Sequence, residues 1–151
     1  MRLCSLAALG AAALLCCAPA AAQFKNADAA IEYRQGALTV MDNHYDRIGA
    51  MVKGKVPFDA HVAQANADLV VTLARLPWSA FVDGSDKGDT NAKPEVWAQP
   101  DKFKAAAQRL EDATVKLAEA ARSGKPDAVK AAFGATSDAC KSCHDDFRKK
   151  H

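Results

Sequence analysis

The sequence predicts an all-α fold, an antiparallel up-down-up-down bundle of four helices. In four separate segments, apolar residues recur at three- and four-residue steps, a spacing that places them on one face of a helix. Paired strands show runs of alternating β-branched residues bounded by hairpin turns. No such run occurs beyond residue 22. Short connections within the first and last pairs of helices make each pair antiparallel neighbours.

The four predicted helices have recognisable ends. They cover about residues 27–52, 59–76, 101–122 and 126–149. Asp59 is a suitable N-cap for the second helix, and Pro126 is a suitable first-turn residue for the fourth. Gly54 and Gly124 follow the first and third helices, at the position where glycine commonly ends a helix.

The connection between the second and third helices, from Pro77 to Pro100, is long for a compact domain. It contains Trp78, Phe81 and Trp97, and large aromatic side chains favour burial over disorder. We expect this crossover to cover part of the bundle or to carry function.

Residues 1–22 are predicted to be a signal peptide that is cleaved before Gln23. The segment has an early Arg2, an apolar run, and Ala20-Ala21-Ala22 at its end, which together fit an export signal and its cleavage site. The apolar run is shorter than the roughly 20 residues that a membrane-spanning helix needs. We expect residues 23–151 to form one domain in the periplasm, with no membrane anchor after cleavage.

Cleavage would change the charge and the cysteine count. The full chain has 20 basic and 18 acidic residues, so loss of Arg2 leaves 19 basic residues and a formal net charge of +1. That balance gives no reason to expect binding to nucleic acid or to a membrane surface. Of five cysteines, only Cys140 and Cys143 remain.

Cys140, Cys143 and His144 form a C-x-x-C-H motif near the end of the fourth helix. This motif is the attachment signature of c-type haem. Two thiols three residues apart on a helix point to the same side, so both can form thioethers with the vinyl groups of one porphyrin. The adjacent His144 can then ligate the iron. The motif therefore predicts one covalently bound haem c per chain.

Two other hypotheses for the motif are a redox dithiol and a zinc site. A thioredoxin-like dithiol lies where a strand leads into a helix, whereas this one lies far inside a predicted helix. A structural zinc site needs four ligands, and His44, His61 and His151 have no partner at a finger-like spacing. Haem attachment is the hypothesis that the rest of the chain favours.

The second axial ligand decides what such a haem does. A strong second ligand favours electron transfer, whereas an open position lets small gases bind. Only seven residues follow His144, none of them methionine, and His151 lies too close along the chain to reach the opposite face of the iron. The residue on that face is expected to come from the first helix, in the segment AIEYRQGALTVMDNHY.

With that segment, the chain resembles the cytochrome c′ family, the class II c-type cytochromes. The resemblance rests on YRQ in the first helix, on LPWSAF and KPEVW in the crossover, and on CKSCHDDFRKK at the C-terminus. In low-spin relatives, a methionine four residues after the arginine of YRQ ligates the iron; here that position is Leu38. The resemblance therefore implies five-coordinate high-spin iron with Leu38 on its distal face. Met41 is the alternative sixth ligand, which would make the protein a low-spin electron-transfer cytochrome.

The resemblance also implies further haem contacts. Arg34 is expected to form a salt bridge with a haem propionate, for which its guanidinium is well shaped, and Gln35 to contact the haem. Asp89 is expected at the haem edge. Arg148 is expected over the proximal face, beside His144.

The implied functions are binding of nitric oxide and carbon monoxide and transfer of single electrons to redox partners that the sequence does not identify. Family members are usually dimers, so a homodimer through the first helix is expected. No distal acid–base pair is visible in the sequence to support catalysis, and we do not expect an enzyme.

Overall fold

A computed structural model describes residues 23–150 of the chain. The predicted signal peptide and His151 lie outside the described residues. Within the described part, no helix is long and apolar enough to cross a membrane.

The predicted all-α four-helix bundle is confirmed. The helices are α1 (Ala27–Val52), α2 (Ala60–Leu73), the short α3 (Glu95–Ala98), α4 (Pro100–Arg122) and α5 (Pro126–Phe147), with a 3-10 turn at Pro77–Ala80. α1, α2, α4 and α5 form the bundle. α1 packs along α2, α2 along α4, and α4 along α5.

The helix ends follow local capping chemistry. The side chains of Asn26 and Asp59 accept hydrogen bonds from the backbone N–H groups of Ala29 and Val62, which are otherwise without helical partners. Gly54 and Gly124, at φ 69° and φ 68°, lie just beyond α1 and α4. Because a side chain disfavours that left-handed conformation, glycine is suited to both positions.

Two helices end earlier than the sequence predicts. α2 ends at Leu73 rather than Leu76, because the chain tightens there into turns that lead to Pro77. α5 ends at Phe147 rather than near Lys149, because its last residues pair with the crossover. The backbone N–H of Lys93 donates to Phe147 O at 2.9 Å, and that of Lys149 donates to Asn91 O at 2.8 Å.

At the end of the bundle distant from the C-terminus, α1 and α5 approach closely. Gly49 allows this contact, because a Cβ atom there would lie 2.9 Å from the ring of Phe133. Tyr45 stacks on Phe133 with ring centroids 4.3 Å apart. Its hydroxyl donates to Phe133 O and lies 2.6 Å from Ser137 Oγ. These contacts join α1 to α5 one turn before Cys140.

The crossover between α2 and α4 is folded, as its aromatic residues predict. Phe81 lies edge-on to Phe103 at 4.7 Å, and Phe103 lies edge-on to Phe147 at 5.2 Å. Trp97 Nε1 donates to Val82 O at 3.2 Å. The aromatic cluster fastens the crossover over the end of the bundle where α5 finishes, which is the end that carries the C-x-x-C-H motif.

Candidate haem site

The two cysteines of the motif face the interior of the bundle. Both are free thiols and both are half-buried. Cys140 packs against an apolar cluster from α1, α2 and α4 that includes Met41, Val70 and Leu110. Cys143, one turn later, packs against a neighbouring cluster that includes Phe147. Both thiols therefore lie on the side of α5 that faces the bundle, as their spacing on a helix predicts.

The environment of these thiols is unlike that of a redox dithiol. Burial, followed by the charge of Asp42 and the neighbouring Cys143, raises the pKa of Cys140 to about 11. Burial also raises the pKa of Cys143. Reactive dithiols have lowered pKa values, because the thiolate is the attacking species. Among residues 23–150, no three His, Cys, Asp or Glu side chains come together as a metal site, so the zinc hypothesis gains no support.

His144 lies on the solvent side of α5, with part of its ring desolvated. That desolvation, together with the cation of Arg148, lowers the pKa of His144. A lowered pKa favours the neutral imidazole, which is the form that binds a metal. Arg148 thus lies close enough to influence the imidazole, and its place over the proximal face of a haem stays a prediction.

The C-terminal end of α5 is held by the crossover. The Lys93 ammonium donates to the backbone oxygens of Asp145 and Asp146, at 2.7 and 3.2 Å. These are carbonyls of the last helical turn, which have no partner within the helix, and a cation is favourable at this end of the helix dipole. Lys93 therefore stabilises the turn that contains His144.

Met41 belongs to the apolar cluster that Cys140 contacts, and Leu38 packs against the same cluster. Met41 is buried, and Leu38 is half-buried. A cavity of about 20 Å³ opens beside Met41, Asp42, Tyr45 and Cys140. The structure therefore brings the predicted distal residue of α1 and the first tether of α5 into one region. It also places Met41 there, so both candidate residues of the distal face remain.

Arg34 has partners that the sequence analysis did not predict. Its side chain is buried, and its four Nη–H groups all donate to the crossover, at 2.6–3.0 Å. The acceptors are the backbone oxygens of Ala80 and Ser85 and the hydroxyls of Ser85 and Thr90. The guanidinium also lies 4.4 Å from the centroid of the Phe81 ring, a favourable cation–π distance. Arg34 thus anchors the crossover to α1, and its predicted salt bridge with a propionate stays a prediction.

Gln35 and Asp89 are brought together by the same crossover. Gln35 Nε2 donates to the backbone oxygen of Asp89 at 2.9 Å, and both residues are exposed. His44 is turned towards α2, where its Nδ1 lies 2.8 Å from Asn66 Oδ1. Gln35 and Asp89 therefore share one edge of the site, and His44 is engaged elsewhere.

The chemistry of these residues fits a haem. The indole Nε1 of Trp78 is buried without a hydrogen-bond partner among the described residues, although Trp78 packs on the cluster that holds Leu38 and Cys140. A buried N–H group without an acceptor is costly, and a haem carboxylate would supply acceptors. Burial lowers the pKa of Arg34, whose cation has no carboxylate partner in residues 23–150. An anionic group nearby would compensate it.

The comparison with known families settles the relationship. The profile of the family described as Cytochrome C' matches residues 29–148. The chain belongs to the cytochrome c′ family. The cytochrome c' of Rubrivivax gelatinosus is 50% identical over 129 residues, which cover 85% of this chain and 100% of the relative. Haem c is the cofactor that membership of the cytochrome c′ family implies, and Cys140, Cys143 and His144 are the residues that would hold it.

Solved cytochrome c′ structures share the fold. The crystal structure of the Rubrivivax gelatinosus protein superposes with a TM-score of 0.81 at 50% identity, covering 84% of this chain and 100% of that chain. A nitric oxide complex of a leucine-to-isoleucine variant of cytochrome c prime from Alcaligenes xylosoxidans has a TM-score of 0.80 at 42% identity, covering 85% and 100%. A variant of that same protein has been solved with carbon monoxide bound.

Several residues at the site escaped the sequence analysis. Ser85 and Thr90 are common loop residues, and nothing local marks them as partners of Arg34. Trp78 was noted as an aromatic residue but not as a donor beside the cysteines. Asp42 could have been found, because a carboxylate one turn after Leu38 falls on nearly the same face of the helix.

Proposed function

We propose that this cytochrome c′ carries one haem c per chain, attached through Cys140 and Cys143, with His144 as the only protein ligand to the iron. When bound, haem c supplies a one-electron iron couple and a position for small gases. The proposed roles are binding of nitric oxide and carbon monoxide and transfer of single electrons, in the periplasm after removal of residues 1–22. We do not propose an enzyme.

One observation carries this proposal. The half-buried thiols of Cys140 and Cys143 precede His144 in the last turns of α5, and Leu38 of α1 packs on the same cluster as Cys140. Leucine has no donor atom, so α1 would seal the distal face with an alkyl group. Gas binding is supported further by relatives of this fold that have been solved with nitric oxide and with carbon monoxide.

The remaining residues would orient the haem. Trp78 Nε1, which has no acceptor among residues 23–150, would donate its proton to a haem carboxylate. Arg34 adds a buried positive charge at the same end of α1, which favours an anionic propionate nearby even while its Nη groups hold the crossover. Gln35 and Asp89 form the exposed edge, where the proposed electron transfer would take place.

The absorption and resonance Raman spectra of the reduced protein test the iron coordination. We expect a five-coordinate high-spin ferrous haem, because Leu38 has no donor atom and His151 lies too close to His144 along the chain to reach the opposite face of the iron. A six-coordinate low-spin ferrous spectrum would contradict this expectation and would favour the alternative, a low-spin electron-transfer cytochrome with Met41 as sixth ligand. Met41→Leu would then restore the high-spin spectrum.

Gas handling and electron transfer are separated by a physiological experiment. Deletion of the gene should sensitise the organism to nitric oxide if gas binding is the selected role. Unchanged sensitivity, together with slowed periplasmic electron flow, would favour the carrier.

We also propose a homodimer through α1. Exposed apolar side chains lie seven residues apart on α1, at Tyr33 and Val40, and on α2, at Val62 and Leu69. Residues i and i+7 share one face of a helix. Exposed apolar side chains that recur on one helix face are typical of a protein–protein contact, and a twofold axis would let the same stripe contact itself.

Sedimentation equilibrium tests the dimer. We expect the wild-type protein to sediment as a dimer and Val40→Glu to shift it towards monomer, since two carboxylates would be buried near the axis. Val56→Glu introduces the same charge at an exposed valine beyond α1 and should leave the dimer intact. A monomeric wild-type protein, or equal effects of the two variants, would contradict the proposal.

A further inference from the structure

Asp42 is a charged side chain at the haem site that the proposed function does not use. It lines the small cavity that also touches Met41, Tyr45 and Cys140. It lies one turn after Leu38 on α1, so it projects towards the same part of α5. Its charge acts on two residues of the motif, Cys140 and His144.

Charges of both signs surround the motif, and Asp146 acts on Cys143. Asp145 forms an ion pair with Lys141. Arg148 places a positive charge beside His144, and Arg109 places one beside Cys143. Asp42 has no ion-pair partner among residues 23–150. Its carboxylate is thus a negative charge beside Cys140 that no ion pair in the described residues neutralises.

We propose that Asp42 tunes the reduction potential of the haem iron, by stabilising the ferric state relative to the ferrous state. Ferric iron takes up one electron on reduction and the site loses one positive charge. A nearby carboxylate therefore interacts more favourably with the oxidised form. Asp42 is exposed, so solvent and salt screen this interaction without abolishing it. The inference rests on the proposed attachment of haem at Cys140 and Cys143.

The test is a redox titration of the holoprotein with soluble mediators, which supply and accept the single electron. Haem content is measured first, as the pyridine haemochrome. Asp42→Asn should shift the midpoint potential in the positive direction, and Asp42→Lys should shift it further. The matched control is Asp46→Asn, which removes a carboxylate one turn along α1 that influences Tyr45 but not Cys140 or His144.

We expect the positive shift of the midpoint potential to be larger for Asp42→Lys than for Asp42→Asn. The shift caused by Asp46→Asn should be well below both, and all differences should be smaller at high salt. An Asp42→Asn shift that is absent, negative or no larger than that of Asp46→Asn would overturn the inference. The inference would also be overturned if Asp42→Lys shifted the midpoint potential no further than Asp42→Asn. A protein that contains no covalent haem would instead overturn the proposed function. The two failures are therefore distinguishable.

Discussion

The double variant Cys140→Ser with Cys143→Ser is expected to hold no covalent haem, whereas the wild-type chain is expected to hold one per chain. Serine has nearly the shape of cysteine, but its hydroxyl does not form the thioether. Haem should therefore be extracted from the variant by acidified organic solvent and should remain with the wild-type protein. Haem staining of a denaturing gel measures the same difference.

Two controls isolate the thiols from the fold. Ser142→Ala changes an exposed residue between the cysteines and should keep its covalent haem. His144→Ala removes the iron ligand but leaves both tethers, so it should keep covalent haem with an altered spectrum. If the double variant retained haem after extraction, the assignment of Cys140 and Cys143 as tethers would be wrong.

Replacement of Leu38 by alanine is expected to accelerate carbon monoxide binding by about tenfold or more, corresponding to about 1.4 kcal/mol of activation free energy. Leu38 packs on the cluster that contains Met41 and Cys140, and its alkyl group would obstruct the distal approach to the iron. Removing three carbon atoms opens that approach. Flash photolysis of the ferrous carbon monoxide complex measures the rebinding rate.

Thr39→Ala provides the matched control, because Thr39 is the next residue on the same helix and is exposed; its rate should equal that of the wild-type protein. Leu38 is only half-buried, so its loss should cost less than the ~2–5 kcal/mol typical of a fully buried leucine, and the variant should fold. An unchanged rate in Leu38→Ala would mean that this side chain does not guard the iron.

The helices could be predicted because their signals are local. Asp59 and Gly124 act within a few residues of the helix ends that they form, and the apolar stripe of α1 is visible in its spacing alone. The prediction was less accurate where an end depends on a distant segment. α5 ends at Phe147 because the crossover pairs with it, and the turn signals after Leu73 were masked by the continuing apolar stripe.

The site was predictable to the extent that its chemistry lies in single motifs. Cys140, Cys143 and His144 are adjacent in the chain, and Leu38 was identified through the family resemblance. The partners of Arg34 were not predictable, because Ser85 and Thr90 lie 51 and 56 residues away in the chain. In the sequence, Arg34 only interrupts an apolar stripe, and that pattern does not predict a buried guanidinium that binds loop oxygens instead of a carboxylate of the described residues.

The sequence by itself determined that this chain forms four amphipathic helices, that two thiols and an imidazole lie near the end of the last one, and that position 38 carries no donor atom. These properties follow from residue type and short-range spacing. Only the tertiary structure decided that Arg34 binds the crossover, that Lys93 caps α5, and that Asp42 lines the same small cavity as Cys140 without an ion-pair partner in the described part of the chain. Those contacts join segments far apart in the chain, and packing, rather than local preference, selects their partners.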